Sequence, residues 1–431
     1  MERAYLSTAG LTVSPATLRR VREITVALAR HEKQHAQRAR QKLRPITDPR
    51  EQILGWTNLV KSHYLAMENC EAEMFNIYRG VIDAAPADKI SMHSIMLDQV
   101  AHDMAHLDDD CGRFLQWAIK GRTIETEQVS DQVSNLIAQS NDFFHFRNYP
   151  LYLMAALLHQ YAGKQPKLGQ VQVSTLLQMV ALSQFFRAAK HPGLAFQIEP
   201  YSINKAQDPE YTGVLLDIEP GLALRTIEPY LASIVFNLAK NFFAITLWDK
   251  ISDENLTFEK QKELRGAKLI FSAKQHPQLP EIILLETIDN GPGFDLGKLA
   301  QQALALVQRQ QVIPGLSAET QDVLNRLNGS PYAYQIGMNQ LMETVFLHRL
   351  SGQTGSTNFH TGLGLFGAAN YKSQLRGEVV VGMNHAGIPP FSTGARFMLL
   401  LPTDPHHFLP DLHLLTQDIQ YGALGTPHFK G

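Results

Sequence analysis

The chain has 431 residues, 44% of them apolar and 19% charged, with a formal net charge of −2. That length suits roughly two to four domains, and the near-neutral charge argues against a dedicated nucleic-acid binder while leaving room for a local basic patch. Only Cys70 and Cys111 are present, without metal-ligand spacing; no apolar signal segment follows Met1, and the longest apolar run, 151–158, is too short for a membrane span. These features predict a cytoplasmic protein without a structural zinc.

Residues 1–160 read as helical. Ser14 followed by Pro15 marks a helix start, and Pro45 and Pro49 mark a break. The basic stretch from Arg30 to Arg44 reads as a solvated helix face, and a second helical pattern runs from Ile53 to Ile82. Leu97, Val100, Met104, Leu107, Cys111, Phe114 and Ala118 then recur at alternating spacings of three and four, a heptad seam. A second helix carrying Val129, Val133, Leu136, Ile137 and Phe143 is expected to fold back on it and to end or kink near Tyr149, before Pro150. Two such hairpins from two chains would form a four-helix bundle.

After a short polar linker, 163–169, the pattern changes. Ser174 predicts the cap of a helix reaching about Lys190. Strand-like runs follow at 194–198, 214–218, 268–271, 281–288, 378–383 and 396–401, alternating with helical segments at 226–247 and 364–375. The fold class predicted is α+β, an N-terminal helical region followed by an α/β sandwich with one mixed sheet. The expected division is 1–88 helical input, 89–163 helical hairpin, 168–403 sandwich domain and 404–431 a loosely ordered tail.

Three boxes carry chemistry. Asn237 and Asn241 lie one turn apart on one helix face, and an amide oxygen is a hard, neutral ligand suited to Mg²⁺. Asp289, Gly291 and Gly293 close the strand Ile-Ile-Leu-Leu-Glu-Thr-Ile, where a carboxylate can accept from an exocyclic amine and glycines admit a flat base. Thr361, Gly362, Leu363 and Gly364 open a later helix, whose amides and dipole suit phosphate.

In this order the boxes resemble the nucleotide site of the ATPase superfamily that joins histidine kinases, type II topoisomerases, Hsp90 and MutL. The resemblance implies that Asn241 meets Mg²⁺, that Asp289 takes the adenine amine of ATP, and that Gly291, Gly293 and residues 361–364 line the nucleotide. The chain departs from the pattern at Phe242, where Ala is usual, and at Ala244, where a basic residue is usual; Lys240 and Arg349 are candidates to replace it. The stretch between Asp289 and Gly362 is long and helical in pattern, an elaborated lid.

His102-Asp103 in the heptad helix resembles the phosphoacceptor box of sensor histidine kinases. If Leu97 and Met104 are a positions, His102 falls at f and faces solvent, His93 falls in the seam, and His106 lacks an adjacent acid. Asp103 is suited to act as a general base or to hold the imidazole. The family resemblance, over about 95–402, implies a homodimeric kinase that phosphorylates His102 from Mg-ATP and passes the phosphoryl group to the receiver domain of a response regulator. Two rivals stay open: a catalytically silent scaffold, and an ATPase or serine/threonine kinase of the same superfamily.

Overall fold

Proline sets the start of the first two helices. The computed structural model describes residues 11–84, 100, 101, 103–105, 107, 112, 127–189, 194–247, 265–293, 371, 374–384, 390–406, 419–421 and 427–429. Helix α1 spans Pro15–Leu43, and Ser14 Oγ caps it by accepting from Thr17 N at 3.0 Å. Helix α2 spans Pro49–Asp83 and is capped in the same way by Asp48. Leu18, Val21, Ile24, Leu28, Ala36, Ala39 and Leu43 form the buried stripe of α1, whereas Arg30, Lys33, Arg38, Arg40, Lys42 and Arg44 are exposed, as expected of a solvated basic face.

The predicted second hairpin helix is divided. Helices α3 (Glu127–Ala138) and α4 (Ser140–Arg147) take its place, and α5 (Tyr149–Tyr161) begins where the break before Pro150 was expected. At the first break the Ser140 hydroxyl donates back to the carbonyls of Leu136 and Ile137, a local bond that competes with the helix ladder. At the second, Asn148 leaves helical geometry (φ −88°, ψ 2°), and Pro150 sits in the first turn of α5, where its missing N–H costs nothing.

Of the heptad seam, Val100, Met104 and Leu107 are described; they are helical and buried within the single chain. No second copy is needed to cover these three positions. Leu97, Cys111, Phe114 and Ala118 lie outside the described residues.

Helix α6 (Val173–Ala189) follows strand β1 (Gly169–Gln172), and then come β2 (Phe196–Pro200), the short α7 (Ile203–Gln207), β3 (Thr212–Ile218), β4 (Ala223–Thr226) and α8 (Glu228–Thr246). Strands β5 (Lys268–Gln275), β6 (Ile282–Asp289), β7 (Glu378–Met383) and β8 (Ala395–Pro402) complete the domain. All six strand-like runs read from sequence enter one mixed sheet of order β2-β3-β5-β6-β8-β7, with β2, β3 and β5 parallel and the rest antiparallel. The β1–β4 ribbon was not anticipated. Neither was the pairing of β9 (Ile419–Tyr421) with β10 (Pro427–Phe429), which lies within the stretch expected to be a tail.

Strand period two divides the sheet. Val214, Leu269, Phe271, Leu285, Phe397 and Leu399 face the helices and join a core that continues into α1, α2 and α5. Alternate residues, among them Leu215, Ile270 and Ile288, form a separate cluster on the other face with Tyr211 and Phe391. The apolar core therefore continues across the linker predicted to separate helical from sandwich segments.

Candidate functional site

Asp289 ends β6 at a turn that only small residues permit. Its Oδ1 accepts from Gly291 N at 2.9 Å and from Ala395 N at 3.0 Å, so the carboxyl group is fixed by two backbone donors. Among the described residues nothing donates to Oδ2. Burial pushes the Asp289 pKa up, and the two backbone bonds oppose the shift without cancelling it, leaving it at about 6.

The turn is braced from three sides. Asn290 Oδ1 accepts from Lys268 N at 2.7 Å and its amide donates to the Gly266 carbonyl, which ties the end of β6 to the start of β5. Asn384, just past β7, donates to the Asp289 carbonyl at 2.7 Å and to Thr393 O at 3.0 Å. Gly394 has φ +113°, and a Cβ there would collide with the Asp289 carbonyl oxygen. A Cβ at Gly291 would touch Phe242 and Thr246, so α8 passes directly beside the turn. Gly293, with φ +73°, holds the left-handed conformation glycine tolerates.

The asparagines on α8 differ in surroundings. Asn241 is half-buried. Asn237 is buried, and its Nδ2 donates to Asp103 Oδ2 at 3.1 Å and to Ser233 O at 2.8 Å. Asp103 is fully buried and collects further donors: Tyr149 Oη at 3.0 Å and Ser233 Oγ at 3.2 Å on Oδ2, and Lys240 Nζ at 3.4 Å on Oδ1. Lys240 is thus spent on Asp103 in this arrangement. The residue beside the candidate acceptor is held against the asparagine helix by charge-assisted bonds.

A second polar cluster lies in the helical half. Glu32 Oε1 accepts from Asn148 Nδ2 at 2.8 Å and from Tyr152 Oη at 2.9 Å. His145 bridges Glu32 of α1 and Glu228 of α8, each at 3.1 Å. Burial alone would lower the His145 pKa, but bonds to Glu228 and Glu32 outweigh it and raise the value to about 10.

His102, Thr361, Gly362, Leu363, Gly364, His93, His106 and Arg349 lie outside the described residues, as does the predicted lid. The sequence reading did not foresee Tyr149, Ser233, Asn384 or Gly394. Only Gly394, in a Ser-Thr-Gly run before a strand, carries a local turn signal; the others act through contacts between distant segments.

Solved structures similar to this chain include the following two. One is a mycobacterial sensor histidine kinase, MprB, with TM-score 0.29 and 14% identity, covering 55% of this chain and 97% of that one. The other is full-length ShkA in complex with AMPPNP, with TM-score 0.28 and 14% identity, covering 70% of this chain and 42% of that one. Both scores lie below 0.5. No family model and no curated protein matches the chain. Among the described residues, no helix is long and apolar enough to cross a membrane, and no cluster of three or more His, Cys, Asp or Glu side chains is arranged for a metal ion.

Proposed function

We propose that the chain is an ATP-dependent protein histidine kinase that phosphorylates His102 and passes the phosphoryl group to an aspartate of a response-regulator receiver domain, acting as a homodimer. One observation supports this above the rest: Asp103, adjacent to His102 in sequence, is hydrogen-bonded by Asn237 on the helix that flanks the Asp289 turn. The acceptor segment and the nucleotide helix are thereby joined.

In this reading Asp289 Oδ2 accepts from the adenine amine, while Gly291 and Gly293 keep the base pocket free of side chains. The glycine box 361–364 supplies amides to the phosphates. Asn241 offers Mg²⁺ a single neutral oxygen, which fits an ion that takes most of its ligands from phosphates and water and offsets the charge on the transferring group. A ring nitrogen of His102 attacks the γ-phosphorus; a nitrogen–phosphorus bond forms as the bond to the bridging oxygen breaks, and ADP leaves. In the arrangement seen, both Asp103 oxygens are engaged, so its part is to anchor the segment; taking the ring proton would require one donor to withdraw.

Autophosphorylation with γ-labelled ATP tests the reading. Acid-labile, alkali-stable label that disappears in His102→Gln, with nucleotide binding retained, is the expected result. Label retained in that variant moves the acceptor elsewhere, and alkali-labile label points to a serine/threonine kinase. The engagement of Lys240 by Asp103 favours one rival, the silent scaffold, since no other described residue of α8 replaces the basic residue missing at Ala244. Bound ATP without any label would establish it.

A further inference from the structure

The break between α4 and α5 gathers contacts from much of the molecule. Asn148 lies outside helical geometry, so neighbouring side chains leave the break in several directions. His145 reaches Glu32 of α1 and Glu228 in the first turn of α8. Arg147, buried, bonds Glu71 of α2 and Asn148 Oδ1, and its guanidinium lies 3.9 Å from the centroid of the Tyr64 ring. Asn148 donates to Glu32 and contacts His63 Nε2 at 3.3 Å. Tyr149 donates to Asp103, and Tyr152 donates to Glu32. Two rings of the break, Phe146 and Tyr149, also pack on Phe236 of α8.

We infer that residues 145–152 are a coupling joint through which the N-terminal helices set the position of Asp103, with Tyr149 as the positioning residue and Glu32 as the point where α1 holds the joint. The inference rests on the kinase reading for its consequence, though not for its geometry. Glu32 is the one acid within the basic stretch of α1, and it is buried with three donors, all of them from this joint. Any movement of α1 relative to α2 must either break those bonds or carry the joint with it. Tyr149 lies next to Asn148, so a rotation at Asn148 changes the reach of the Tyr149 hydroxyl to Asp103. Arg147 and Glu71 give α2 a separate hold on the same turn. A signal that shifts α1 against α2 therefore arrives at the residue beside His102 through two adjacent side chains.

Hydrogen–deuterium exchange of the full chain tests this without reference to activity. Tyr149→Phe removes a single hydroxyl, and exchange in the 100–107 peptide should rise about tenfold, the change expected for losing one hydrogen bond to a charged group. Glu32→Gln, placed on α1, should raise exchange in that same peptide and in residues 228–232. In the Tyr149→Phe background Glu32→Gln should add nothing at 100–107, because the path is already cut. Should Glu32→Gln fail to fold, Tyr152→Phe weakens the same hold by one donor. The inference is overturned if the α1 variant alters only α1 and 145–152, or if the two effects on 100–107 simply add. As the kinetic readout, Tyr149→Phe should lower the labelling rate with nucleotide affinity unchanged. An unlabelled parent protein would remove the kinase reading and leave the exchange result to decide the joint.

Discussion

Asn237 and Asp103 stand 134 positions apart in sequence, yet the Asn237 amide donates to the Asp103 carboxyl group across 3.1 Å. With Lys240 on the other oxygen, the pair sits where water cannot replace a lost partner. Asp103→Asn leaves Lys240 buried beside a neutral group and should cost about 3 kcal/mol in urea unfolding. Adding Lys240→Met should recover part of that loss, because the unpaired charge is removed. A cost below about 0.5 kcal/mol, the size of an ordinary surface change, would show that Asp103 is not the anchor of its helix.

If Asp289 takes the adenine amine as proposed, nucleotide binding should depend on pH. The ionised carboxylate accepts from an amine more strongly than the protonated group, and its folded pKa is about 6, so ATP affinity should rise between pH 5 and pH 7 and then level. The sign for stability is opposite. The unfolded group titrates near 4, so between about pH 4 and 6 the folded state binds more protons, and this group's contribution to apo stability falls as pH rises through that window. Asp289→Asn should abolish measurable ATP binding and flatten the binding profile in calorimetry, whereas Asn241→Ala should weaken the Mg²⁺ dependence of labelling more than it weakens adenine binding. Identical Mg²⁺ titrations for Asn241→Ala and parent would leave that asparagine a structural role only.

Gly394→Ala probes the brace under the site. The backbone there is in a region that disfavours side chains, and the new Cβ meets the Asp289 carbonyl oxygen, so the cost should exceed about 2 kcal/mol and ATP affinity should drop with it. Gly221→Ala is the control: φ is +81° but the space is open, and the cost should stay near 1 kcal/mol. Equal costs at the two positions would mean that the Asp289 contact is unimportant.

His35 and His63 pack edge to face, 4.9 Å between centroids, with Phe144 against both. Burial first, and then neighbouring positive charge, lowers both pKa values, that of His35 to about 4. Each unfolded ring binds a proton near pH 6.5, so the stability these neutral rings contribute is present above that pH and is lost as pH falls toward 4. Unfolding followed by circular dichroism should show less loss between pH 7 and pH 4.5 in His35→Phe than in the parent protein. An unchanged acid slope would assign the acid sensitivity to other groups.

Periodicity and punctuation sufficed for the first two helices and for the strands of the main sheet. Ser14-Pro15 and Pro49 mark helix starts because caps and proline act on their own backbone, and the six strands were legible as short β-branched and leucine-rich runs. The Asp289 turn was legible for the same reason, since Asp-Asn-Gly-Pro-Gly is local chemistry at a strand end. The end of the second hairpin helix near Tyr149 was legible from Pro150, but its earlier break was not, because Ser140 makes it by bonds to the Leu136 and Ile137 carbonyls that heptad spacing does not register. Tertiary packing alone decided that Asp103 points inward onto Ser233 and Asn237, that Lys240 is engaged there, and that Asn384 and Gly394 support Asp289 from another strand pair. Each of these depends on the distance between segments far apart in the chain, which is set by how the helices cover the sheet and by no property of the neighbouring residues.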